Sequence, residues 1–200
     1  MKALAHKRRR DIGQQKWQFI AVVITVAMGV AMFAGTFNAY LNLGTSLEES
    51  YDRLHMADMV VTGAESGFVD SVQSVAGVSN AIERRQADVP FTIGDDNLLG
   101  RVIGFPGDGQ PAINQVDVDE GDYLDPDTPT DVLLEKHAAA NFDLAVGDTF
   151  TIAGNEVTVR GIVTSPEYLW PARDEQSLFT PPNTFAVAFA LEQTLDDLGP

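Results

Sequence analysis

The chain has 200 residues, no cysteine and a net charge of −16, with 29 acidic against 13 basic residues. Such a charge disfavours nucleic acid, and without cysteine there are neither disulfides nor thiol chemistry. The aliphatic content suffices for one ordinary domain or two small ones, which excludes a disordered chain.

The first 16 residues reverse the overall balance. Lys2, Lys7, Arg8, Arg9, Arg10 and Lys16 stand against Asp11 alone, a local charge of +5, while the remaining residues carry −21. Residues 19–37 then form an apolar run whose only polar side chains are Thr25 and Thr36. As a helix it reaches about 28 Å, the thickness of a bilayer's hydrocarbon core. A cleaved leader has a shorter apolar region, about 7 to 15 residues. We therefore expect a membrane-spanning helix. Positive flanks stay in the cytoplasm, so the acidic remainder is expected outside the plasma membrane, with Trp17 and Tyr40 at the two lipid boundaries. Anionic lipid is the expected partner of the basic cluster, not DNA or RNA.

Beyond the span, Tyr40, Leu43, Leu47, Tyr51 and Leu54 recur at helical spacing and predict one apolar stripe. The stripe suits a rigid stalk that couples the membrane to the outer domain, and suits equally a helix packed on that domain. A strand at 59–62 follows, then a helix carrying Phe68, Val69, Val72, Val75 and Ala76, with Ser66 as its N-cap and Gly77 as its end. Strands are expected around 81–88 and 98–105, joined by the turn GDDN at 94–97. That β-α-β-β order predicts one half of a ferredoxin-like layer.

A Gly, Pro and Asp-rich stretch from 104 to 131 reads as an irregular connection. After it, DVLLE predicts a strand, KHAAANF a short helix, and DTFTIAGNEVTVRGIVT a hairpin turning at Gly154-Asn155. TFAVAFALEQ predicts a last strand entering a helix. The expected class is α+β, with an N-terminal transmembrane helix and stalk before two α+β subdomains, a ferredoxin-like half and a small β-rich unit. The boundaries are 1–16 for the basic cytoplasmic segment, 17–40 for the span and 41–57 for the stalk. The first subdomain covers 58–110, the second 111–180, and 181–200 returns to the first.

Catalytic constellations fail by inspection. There is no phosphate-binding G-x-x-x-x-G-K-[ST] loop, no G-x-S-x-G elbow and no H-E-x-x-H pair. His6, His55 and His137 stand apart from one another. Aligning Asp117 and Asp119 with the first ligands of a calcium loop puts Gly121 at the third, Asp122 where glycine is required and Thr128 at the bidentate glutamate. We expect no metal, no cofactor and no catalytic residue.

Several stretches together resemble the N-terminal part of an FtsX-like permease with a MacB-like periplasmic core domain. They are RRRDIGQQKWQF, the apolar span, SLEESYDRLHMADMVVTG and LLEKHAAANFDLAVGDTFTIAGNEVTVRGIVTSPEYLW. The similarity runs from about Arg9 to Leu195. Its signature residues here are Ala139, Leu144, Val146, Gly147, Asp148 and Gly161, which carry folding roles: Ala139 and Leu144 pack a short helix on the sheet, and Gly147-Asp148 make the turn into the hairpin. The resemblance implies a permease subunit of an ATP-binding cassette transporter, a separate cytoplasmic ATPase, and assembly of two permease subunits. It also implies spans beyond the outer domain, so a truncated or split permease is expected. The rival expectation is a single-pass, membrane-tethered binding or signalling domain.

Overall fold

The computed structural model describes residues 16–64, 67–169, 181 and 183–198. Two compact units divide the chain, one ending at Glu49 and the other beginning at Ser50. Ser66, the expected N-cap, lies outside the described residues.

The first unit is built from helix α1, Lys16–Arg53, whose last turn belongs to the second unit. It is long and apolar enough to cross a membrane, and none of its residues is buried. In its apolar run the two threonines bond back to the helix: the hydroxyls of Thr25 and Thr36 donate to the carbonyls of Ala21 and Met32, each at 2.9 Å. Such back-bonding satisfies a hydroxyl where lipid offers no partner.

In the second unit, helix α2 (Phe68–Gln73) precedes strands β1 (Gln86–Ile93), β2 (Asp96–Phe105), β3 (Asp117–Gly121) and β4 (Asp131–Glu135). Helix α3 (Lys136–Phe142), strands β5 (Thr149–Ile152) and β6 (Asn155–Thr164), and a short 3-10 turn at Pro166–Tyr168 come next. Strand β7 (Phe185–Leu191) and helix α4 (Glu192–Leu198) complete it. The seven strands form one sheet in the order β3-β6-β4-β7-β2-β1-β5, and β5 also pairs with β6, so six strands close into a ring. β3 lies outside that ring on the edge of β6 that β5 leaves open, because β5 uses residues 155–158 of β6 and β3 uses 161–164.

Closure gives the sheet an inner and an outer face. The inner face carries Phe91, Val102, Leu134, Ile152, Val157 and Val159, joined by Ala138 and Ala139 of α3 and Leu195 and Leu198 of α4. The outer face carries Ile103, Phe105, Leu133 and Val163, covered by Val116, Leu124 and Tyr168 from connecting segments. β7 is buried on both faces, with Ala186, Ala188 and Ala190 inward and Phe185, Val187, Phe189 and Leu191 outward. The small inward residues suit the crowded interior of a narrow ring. This explains why that strand reads as a continuous apolar run.

The fold is α+β with an N-terminal apolar helix, but the strands expected in two subdomains share a single sheet: β1 and β2 come from 58–110, and β3 to β6 from 111–180. Residues 59–62 form no strand. Their composition favours extension, but they pair with no strand of the sheet. β1 runs from 86 to 93 instead of 81 to 88, passing through Pro90. Proline is tolerated there because the Pro90 carbonyl accepts from the Ala153 N–H at 2.8 Å, on the side away from β2, so its missing N–H costs the β1–β2 ladder nothing.

Strand β3 arises in the stretch expected to be irregular. Its sequence, DVDEG, has little strand propensity, and pairing with β6 holds it. Gly121 faces Gly161 in that pairing. A Cβ on Gly161 would meet the Asp122 carbonyl at 2.6 Å, and one on Gly121 would meet the Arg160 carbonyl. Two glycines are what let the backbones approach. The hairpin turns at Ala153-Gly154, one residue earlier than expected, since Ile152 pairs with Asn155.

Candidate functional site

The end of α1 and the 106–116 loop form the junction at which the chain leaves the helix and enters the sheet. The Met56 N–H donates to the Tyr51 carbonyl at 2.9 Å and the His55 N–H to that of Asp52 at 3.4 Å, with His55 at φ +50°. This is a Schellman termination with a left-handed residue after the helix, and it stops at Arg53 a helix expected to reach 57. A histidine there bears the steric cost that glycine would avoid.

The freed carbonyls are taken by the loop. Leu54 is buried, and its carbonyl accepts from the Gln115 N–H, while that of His55 accepts from the Asn114 N–H, both at 2.9 Å. Asn114 is itself buried and left-handed, at φ +56°, and its side-chain oxygen accepts from the Ala57 N–H at 2.7 Å. One residue thus fastens the chain at two points just beyond the helix end. The loop is pre-shaped for it: Gln110 bonds both backbone groups of Val116, at 2.7 and 2.9 Å, and the Gln115 amide donates to the Pro111 carbonyl. Arg53 pairs with Asp117 at the start of β3. That pair is exposed, so solvent screening leaves it a small contribution.

Of the stripe predicted from spacing, Leu54 is buried, Leu47 half-buried, and Leu43 and Tyr51 exposed. The signature residues occupy the α3–β5 region. Ala139 is in the inner core and Leu144 packs against it. Gly147 adopts φ +94°, and its N–H donates to the Val159 carbonyl at 2.7 Å. The Asp148 carboxylate accepts from the Ala145 N–H at 2.8 Å and its carbonyl from the Val159 N–H at 2.9 Å. The exposed Val146 lies over Gly121. These residues shape the hairpin and do not meet the helix junction.

Among the described residues no three His, Asp or Glu side chains gather as a metal would need. The acidic segment is instead organised by Arg160, whose guanidinium donates to the Tyr123 carbonyl at 2.6 Å and reaches Asp131 at 3.1 Å and Asp125 at 3.3 Å. Sequence reasoning overlooked Asn114, Gln110 and Gln115. Each sits in a stretch whose proline and glycine content signalled only irregular backbone.

The chain thus joins an apolar helix long enough to span a bilayer to a mixed α+β sheet domain, the arrangement of a membrane-anchored protein. The family model of the MacB-like periplasmic core domain matches residues 19–197, and the chain belongs to that family. This relates it to the permease components of ATP-binding cassette transporters. Among solved structures, it is similar to the periplasmic region of MacB from Actinobacillus actinomycetemcomitans. The identity is 11% and the TM-score 0.40, over 63% of this chain and 54% of that one. The chain therefore spans about half the length of that structure. No curated protein sequence matches it.

Proposed function

We propose that the chain serves in a permease subunit of an ATP-binding cassette transporter, catalysing nothing itself and passing movement between the membrane helix and the outer sheet domain. The basic start faces the cytoplasm, where a separate ATPase docks, and two permease subunits assemble in the plasma membrane. The +5 charge before the span supports that orientation, and the family match supports the permease role.

One observation carries the mechanical part: the carbonyls of Leu54 and His55, the first residues after the helix, are bonded to backbone N–H groups of the 106–116 loop. A displacement of the helix end must drag that loop or break two hydrogen bonds. Leu54 and Leu47 supply the apolar part of the lever, with Leu43 and Tyr51 on the same stripe.

The test is gentle solubilisation of the native protein, followed by mass spectrometry of its companions and an ATPase-to-transport coupling assay on the recovered complex. We expect a cassette ATPase to co-purify, and Leu47→Asp with Leu54→Asp to abolish coupling while membrane insertion persists. Recovery without any ATPase, as a tethered binding domain would give, or coupling unchanged by the double substitution, overturns the proposal.

A further inference from the structure

Residues 81–85 lead into β1 with strand-like composition, but the ladder begins only at Gln86. β2 ends at Phe105 and the chain turns away at Pro106, so among the described residues this lead-in has no paired strand along most of its length. The Arg85 carbonyl still accepts from the Gly104 N–H at 2.9 Å. Ahead of it, the backbone groups of Ala81, Ile82 and Glu83 make no hydrogen bond among the described residues.

Residues 81–84 line an open groove of about 380 Å³, whose apolar lining includes Val69, Ile82, Pro106 and Pro111. The volume lies near the lower end of ligand sites, about 300 to 1,000 Å³, and suits a few side chains. Its charge is one-sided. Arg84 is taken up by Glu167 at 2.6 and 2.7 Å. Glu83 accepts from the Gly67 N–H at 3.2 Å and Glu192 from the Arg85 N–H at 3.3 Å, and neither has a cationic partner among the described residues.

We propose that this groove binds a short extended peptide segment bearing lysine or arginine beside apolar residues. The peptide adds as a strand to the 81–84 backbone. Alternate side chains of a strand point the same way, so apolar residues face the prolines while the intervening cations meet Glu83 and Glu192. Main-chain pairing supplies affinity and the two carboxylates select the charge. This goes beyond the transport role and does not depend on it, because it can be measured on the chain alone without an ATPase.

The experiment titrates the detergent-solubilised full chain into a fluorescein-labelled Val-Lys-Leu-Lys-Val-amide peptide at fixed ionic strength, reading anisotropy. Glu83→Gln with Glu192→Gln keeps a side-chain oxygen to accept from the Gly67 and Arg85 N–H groups and removes two charges. A control pair of equal charge change, Glu120→Gln with Glu156→Gln, lies on β3 and β6. We expect saturable binding, weakened about ten-fold by the groove pair and left nearly unchanged by the control pair. The corresponding glutamate peptide should not bind. Equal weakening by both pairs would reduce the effect to the domain's general acidity and overturn the site. Failure to saturate, or equal affinity for a serine-for-lysine peptide, would overturn it as well.

Discussion

Arg84 and Glu167, 83 positions apart in the chain, form a two-pronged ion pair with N–O distances of 2.6 and 2.7 Å, their side chains only 14% and 15% exposed. The pair fastens the turn after β6 to the segment entering β1. Next to it, Arg101 makes a second two-pronged pair with Asp88, at 2.6 and 2.9 Å, and lies over the Phe185 ring. Burial pushes the neighbouring Tyr168 hydroxyl above its ordinary value, although its hydrogen bond with Arg101 opposes the shift.

Removing one member of the first pair should therefore cost more than removing both. Arg84→Met strands a largely buried carboxylate and is expected to destabilise the domain by about 3 kcal/mol, whereas Arg84→Met with Glu167→Met should fall within about 1 kcal/mol of wild type. Chemical denaturation of the wild type, both single variants and the double variant checks this. An additive double variant would show that the two residues do not act as a pair.

Much of this architecture was legible in residue pattern. The apolar run, the β4–α3 unit and the β5–β6 hairpin follow from periodicity and turn residues, because in each the local preference agrees with the final environment. Where the two disagree, pattern fails. Residues 59–62 have strand composition but join no strand of the sheet, and β3 has a loop's composition but is held by β6 across the Gly121–Gly161 approach. A single sheet in place of two subdomains depends on β7 inserting between β2 and β4, a pairing between residues far apart in the chain. Asn114 matters because of what meets it in space, and neither composition nor spacing encodes that meeting.

At the helix end, His55 holds φ +50° without a compensating side-chain bond among the described residues. His55→Gly is expected to raise stability by about 0.5 to 1 kcal/mol, since glycine enters the left-handed region without steric cost. Asn114→Ala should do the reverse, by about 1 to 3 kcal/mol, because it leaves the Ala57 N–H without its acceptor and puts alanine at positive φ. Thermal melts of the two variants in detergent read both effects; a neutral Asn114→Ala would remove the loop's claim to hold the junction.

The β5–β6 turn gives a gain-of-stability test. Ala153 and Gly154 both have positive φ, at +49° and +88°, which is the two-residue hairpin geometry matching strand twist. Alanine is poorly suited to the first position, where asparagine is common. Ala153→Asn should stabilise by about 0.5 to 1 kcal/mol, and its N–H must still donate to Pro90 for β1 to remain joined to β5. The shift in denaturation midpoint, together with the hydrogen-exchange rate of residue 153, decides it: a lower midpoint with faster exchange would contradict the turn assignment.

Glu135 makes the stability of the domain depend on pH. The Glu135 side chain is 3% exposed at the end of β4, accepting from the His137 N–H at 2.8 Å and bonding its ring Nδ1 at 2.7 Å. Desolvation raises its pKa above the ordinary carboxylate value, while the bonds with His137 pull it partly back. A carboxyl whose folded pKa is raised contributes stability that is fully present below the unfolded value, near 4.5, and is lost as pH rises through the folded one. Glu135→Gln keeps an oxygen to accept from the His137 N–H and cannot ionise. Its stability relative to wild type should therefore rise with pH from about 4.5 and then level off above the folded pKa. Urea midpoints of both proteins between pH 4 and 8 give the difference curve, in which the other carboxylates cancel. A flat difference would mean that the bonds with His137 fully offset burial, and one that falls as pH rises that they outweigh it; either would overturn the raised pKa.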